Sequence, residues 1–167
     1  MDREAIRLLF DYNDWANGRI LAAAEGLSAA EYTTVVPGLS HGSVRATLVH
    51  ALSAEDIWRQ RCLEGVSPPR LLVEADLPAF ADLRARWAEV QRAMRVGLAR
   101  LDDAALAAPL DYRTTGGRPM RDVRWHLLAH LVNHGTQHRA EAAVALTAFG
   151  HSPGDVDLIV YLREARP

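Results

Sequence analysis

Four of the seven histidines in the 167-residue chain fall within thirteen positions: His126, His130, His134 and His138 recur at a strict spacing of four in "HLLAHLVNHGTQHRA". Neutral imidazole is a common metal ligand, and a pair at i and i+4 on one helix can grip an ion from one side. A four-residue step turns only ~40° around a helix, so neighbours in the ladder share a face while the whole ladder sweeps ~120°. That is too far for all four to serve one ion. With His126 at 0°, Leu127, Leu131, Ala142, Ala145, Leu146 and Phe149 fall between ~100° and ~200° and define the inward arc. His138 lies inside that arc and His134 on its edge, whereas His130 and His126 turn toward Asn133, Gln137 and Glu141. The inward pair is His134 and His138.

Two ligands make no firm site, so a third is needed. His50 supplies a candidate, because it shares a helix face with Ala51, Ala54, Ile57 and Trp58. The pair is separated by Gly-Thr-Gln and lacks the glutamate of His-Glu-x-x-His, which argues against metalloprotease chemistry. Cys62 is twelve residues beyond His50, about 18 Å along a helix axis, and cannot join it at one ion. His41, His126, His130 and His151 are expected at the surface, beside the site or on its rim.

The elements that must position these residues are helices. One is expected over about Arg3 to Ala24, and a short extra turn at "LSAAEY", where Ser28 and Glu31 have capping-box spacing. Residues 35–43 form a loop, and a second long helix spans about Val44 to Leu63. A third begins near "DLPAF", with Asp76 as cap and Pro78 in its first turn, and reaches about Arg100. Residues 110–119 have hairpin character around Gly116 and Gly117. The fourth long helix covers about Met120 to Phe149, closed by Gly150 and Pro153. "DVDLIVYLREA" is expected to add a short C-terminal helix capped by Asp155. Phe10, Tyr12, Trp15, Trp58, Trp87 and Trp125 are expected in the core. The fold class is therefore all-α, a four-helix bundle over a single domain, residues 1–167.

Composition excludes several chemistries. There is one cysteine, so no intrachain disulfide or Cys-x-x-Cys pair forms, and there is no lysine, which removes Schiff-base catalysis. A net charge of −2 and a pI near 6.4 predict no general nucleic-acid binding. No segment has the ~20 apolar residues of a membrane span, and no signal-peptide pattern opens the chain, so a cytoplasmic location is expected.

Three stretches resemble the DinB family, within the wider DinB/YfiT-like superfamily. They are "LFDYNDWANGRIL", with Tyr12, Asn13, Trp15, Ala16 and Asn17; "TLVHALSAEDIWRQR", with His50; and "HLVNHGTQHRAEA", with His134 and His138. The resemblance implies an up-down-down-up bundle, a homodimer, and a three-histidine site at His50, His134 and His138 for a divalent ion, commonly nickel or zinc. Some members are transferases or isomerases that use low-molecular-weight thiols. The expected function is a metal-dependent transferase acting on a small-molecule substrate with a small thiol as nucleophile. The alternatives are a metal-dependent hydrolase and a non-enzymatic metal-binding stress-response dimer. Arg139 or Arg61 is the expected holder of a carboxylate on thiol or substrate.

Overall fold

A computed structural model describes residues 1–164. Seven α-helices, a π-helical turn, a 3₁₀ turn and one two-stranded antiparallel sheet make up the regular structure of these residues. Helix α1 (Arg3–Ala24) starts where the Asp2 side chain accepts the Ala5 N–H. The short α2 (Ala29–Thr33) carries the reciprocal Ser28–Glu31 capping box that its spacing predicts. Helix α3 (Val44–Arg59) is capped by Ser43 and runs on into a π-helical turn at Gln60–Glu64, which Gly65 ends at φ 68°. Helix α4 (Phe80–Ala99) and the short α5 (Asp103–Ala107) follow.

The start of α4 differs from expectation. Asp76 does not cap it, because its carboxylate is taken by Arg70 and the Val73 N–H in a separate 3₁₀ turn at Glu74–Asp76. Pro78 lies outside the helix, and Asp82 accepts the Ala79 N–H instead.

The hairpin is longer than its sequence suggests: β1 (Pro109–Arg113) pairs with β2 (Pro119–Val123), Tyr112 opposite Met120. Residues 120–123 therefore belong to a strand, and α6 (Arg124–Ala148) begins four residues later than expected. The pairing is supported by Leu110, which is buried, and by the Tyr112 hydroxyl donating to Asp122. Gly150, at φ 84°, turns the chain after α6 so that the His151 N–H returns to the Leu146 carbonyl. Helix α7 (Leu158–Glu164) is capped by Asp157, which accepts the Ile159 N–H, whereas Asp155 accepts the Asp157 N–H one step earlier. Ala165, the last residue of the expected C-terminal helix, lies outside the described residues.

The four long helices form a ring of contacts: α6 packs on α1 and α3, α3 on α4, and α4 on α1. Ile20, Leu48, Leu52, Leu83, Trp87 and Leu146 fill one end of the interior, and Phe10, Leu98, Leu106, Leu128 and Leu131 the other. Phe10, Tyr12 and Trp87 are buried as expected, while Trp15, Trp58 and Trp125 are partly buried at its margin. No helix of the described residues is long and apolar enough to cross a membrane.

A polar chain crosses this interior. Glu55, on α3, accepts N–H groups from Asn13, Asn17 (2.8 Å) and the Trp87 indole (2.6 Å). The other ends of the two amides, their Oδ1 atoms, accept from Arg139 of α6. All four helices of the ring thus meet at one network, whose five side chains are each less than a tenth exposed. Both asparagines lie one helical turn apart on the inward face of α1, with amide to carboxylate and carbonyl to guanidinium. Gly135 makes room for it, because a Cβ there would come 2.8 Å from the Arg139 guanidinium and 3.0 Å from Asn13 Oδ1.

Candidate metal centre

Helices α3 and α6 are in direct contact, and their histidines meet at that seam. The His50 ring centre lies 5.2 Å from that of His134 and 4.7 Å from that of His138, and His134 and His138 are 4.4 Å apart. The three ring planes are inclined to one another by 63–76°. His138 is buried, with His50 and His134 half-buried. The inward arc deduced from helical periodicity therefore corresponds to the packed face of α6.

A fourth imidazole joins them. His41, in the loop before α3, stacks on His50 with centres 3.9 Å apart and planes 23° from parallel, and lies 5.1 Å from His138. Ligand atoms of His41, His50 and His138 all lie within 4.8 Å of one another. Nothing in the sequence around His41 marked it, because a loop between glycines has no facing periodicity.

Glu141 is the second residue that sequence reasoning left on the outward side. Its carboxylate lies 3.3 Å from His138 Nδ1 and accepts the Ser40 hydroxyl at 2.7 Å. Those bonds hold the carboxyl below its ordinary pKa even though partial burial opposes them. An ionised carboxylate only accepts, so His138 Nδ1 carries the proton and its Nε2 keeps a free lone pair. That arrangement orients metal-ligating histidines. Through Ser40 the same carboxylate ties the His41 loop to α6.

Of the remaining ladder members, His130 borders a cavity shared with His50 and His134, and His126 stands apart. His130 is exposed, its ring 5.7 Å from His134 and 5.5 Å from Trp58. His126 is exposed and packs against Trp125, and His151 packs against Gly26 at the far end of α6.

Electrostatics favour the neutral imidazoles that metals require. Burial first, then the imidazoles of His41, His138 and His134, hold His50 down to about 4. Burial and its neighbours His138, His130 and His41 hold His134 to about 4 as well. His41 is lowered by the same two causes. In the unfolded chain these groups titrate near 6.5. Between pH ~6.5 and ~4 the unfolded chain therefore binds protons that the folded, metal-free protein does not. Stability is full above that window and falls as pH drops through it. Thermal melts of the metal-free protein should show this fall, and a His50→Ala/His134→Ala double variant a shallower one; equal pH slopes would contradict the reading.

The donor set fits a divalent transition ion: neutral imidazoles on two packed helices, one of them oriented by a carboxylate. Internal nucleophiles are scarce. Cys62 is buried, and burial pushes its thiol up to about 12, with Arg124 and Arg61 only partly opposing it. Of the two arginines considered as anion holders, Arg139 is committed to Asn13, Asn17 and Thr136. Arg61 lines a cavity of about 220 Å³ whose wall also includes His50 and His134.

Comparison with known proteins gives one family: the DinB family model matches residues 1–167. No curated protein matches the sequence.

Proposed function

Because the chain belongs to the DinB family, we propose that it is a divalent-metal protein in which His50, His134 and His138 hold zinc or nickel, and that it transfers groups onto a small external thiol. The observation that carries this reading is the meeting of the three imidazoles at the α3–α6 seam, their planes mutually inclined, beside a cavity that His50 and His134 help to line. Inclined planes allow in-plane lone pairs to converge on one ion. His41 stacks on His50 and its ligand atom lies within 4.8 Å of those of His50 and His138; as the loop residue beside two helices it is assigned to cover the site, with ligation left to the other three. When bound, the ion supplies Lewis acidity, which favours the anionic form of a coordinated thiol or water at neutral pH. Imidazole suits nickel and zinc alike.

The protein's own groups do the rest. Glu141 keeps the His138 proton on Nδ1, Ser40 and Glu141 hold the covering loop, and the cavity walls position the electrophile. Since Cys62 is enclosed and protonated and no lysine is present, the nucleophile comes from outside the chain. In the reaction a thiol R–SH loses its proton to solvent, its sulfur bonds the electrophilic carbon, and the displaced group leaves with the electron pair of the broken bond.

The ring of long helices supports reading the fold as one up-down-down-up four-helix bundle, followed by α7. We further propose a cytoplasmic homodimer without affinity for nucleic acid, in keeping with the net charge of −2. A thiol-consumption assay with zinc-loaded and metal-free protein, run across a panel of electrophiles, tests the activity. Thiol loss that requires metal is expected. Metal-dependent hydrolysis of the same panel without thiol would replace the transferase reading with a hydrolase.

A further inference from the structure

Three buried arginines occur among the described residues: Arg59, Arg61 and Arg139. Arg59 bonds Asp56 and Glu64, and Arg139 bonds the two asparagines and Thr136. Arg61 differs. It is 6% exposed, its Nε–H is enclosed without an acceptor as that of Arg139 also is, and, unlike the other two, it has no side-chain hydrogen bond or carboxylate partner among the described residues. Its guanidinium lies instead over two aromatic faces, 4.8 Å from the centre of Trp58 and 5.5 Å from that of Tyr112. Face contacts of that kind leave the in-plane fork of N–H donors free. A guanidinium withdrawn from water and given no anion is an unfavourable arrangement that a ligand can complete.

We propose that the cavity beside the histidines is a carboxylate subsite, in which Arg61 grips the carboxylate of a small substrate whose apolar body lies against Trp58, Ile57 and Leu71 and whose reacting end faces His50 and His134. All six residues line the same space of about 220 Å³. That volume is below the ~300–1,000 Å³ of drug-sized ligand pockets, so the substrate is small. A single guanidinium balances a single negative charge, whereas a phosphoryl group carries about −1.5 to −2 at neutral pH and calls for more cations than this wall offers. The fork geometry of arginine also matches a planar carboxylate through two parallel N–H···O bonds. That the anion is a substrate rests on the functional reading above; that it binds at Arg61 does not.

Benzoate is a suitable probe, titrated calorimetrically into metal-free and zinc-loaded protein, wild type and Arg61→Met, with inorganic phosphate as competitor. Wild type is expected to bind benzoate in both forms, and Arg61→Met to bind it about ten-fold more weakly or worse, since a charge-assisted bond is lost. Zinc binding should be the same in both. Benzoate affinity unchanged by Arg61→Met, or phosphate bound more tightly than benzoate, would overturn the subsite. Should zinc fail to bind while benzoate still depends on Arg61, the metal reading falls and the subsite stands. If Arg61→Met does not fold, the Arg61 Nε–H resonance of wild type decides: it should shift on adding benzoate, and an unmoved signal overturns the proposal.

Discussion

Alanine at His50 or His138 is expected to lower zinc affinity by about 10²–10³-fold, while leaving the fold intact. Structural zinc sites gain roughly 10–16 kcal/mol from about four ligands, or ~2.5–4 kcal/mol for each. A three-ligand site has no spare donor to replace the lost one. The two residues lie on different helices, α3 and α6, so equal losses from both would show that the ion bridges the seam. His126→Ala should bind zinc as wild type does, because that ring is exposed and turned against Trp125. Calorimetric titration of the metal-free variants measures all three. Wild-type affinity in both His50→Ala and His138→Ala would exclude a site built on these rings.

The second large effect is structural and lies on the side of α6 that faces α1. Arg139→Leu is expected to destabilise the protein by about 3–5 kcal/mol, the range seen when one partner of a buried charged network is removed. The substitution leaves Asn13 Oδ1 and Asn17 Oδ1 without the guanidinium they share, and Glu55 without the cation that those amides relay to it. Against a typical domain stability of ~5–15 kcal/mol, this is a large fraction. Urea denaturation gives the value. Glu55→Gln should also destabilise, because every group facing that carboxylate is an N–H donor and a carboxamide N–H₂ offers one of them no acceptor. A loss below about 1 kcal/mol for Arg139→Leu, ordinary for an exposed arginine, would mean the network is not a joint of the fold.

These two sites show what the sequence made legible. His134 and His138 were readable because α6 is long and its apolar arc fixes which way each position faces. His50 was readable for the same reason on α3. His41 was not, since its approach to His50 depends on the path of a loop closed by Ser40 and Glu141 across a separation of 101 residues. Glu141 sits one turn beyond His138, yet an acidic residue beside an apolar arc reads as a solvated one until its partner is seen. Asn13 and Asn17 stood out in the pattern "YNDWAN", but their bonds to Glu55 and Arg139 are contacts between elements that spacing within one helix cannot supply. The start of α6 was misplaced because Met120 and Val123 suit a strand as well as a helix, and long-range pairing with β1 decides between them. Arg61 and Arg139 were interchangeable as letters. Their partners separate them: Arg139 is bonded to two asparagines and Thr136, and Arg61 is left without an anion beside the histidines.

We propose that His50, His134 and His138 hold the ion and that His41 only covers it. Zinc titration of wild type beside His134→Ala and His41→Ala tests this most directly. One ion per wild-type chain is expected, with near wild-type affinity in His41→Ala and a loss of about 10²–10³-fold in His134→Ala. Retained affinity in His134→Ala with loss in His41→Ala would transfer the third ligand to the loop. A wild-type chain that binds no zinc or nickel would contradict the account outright.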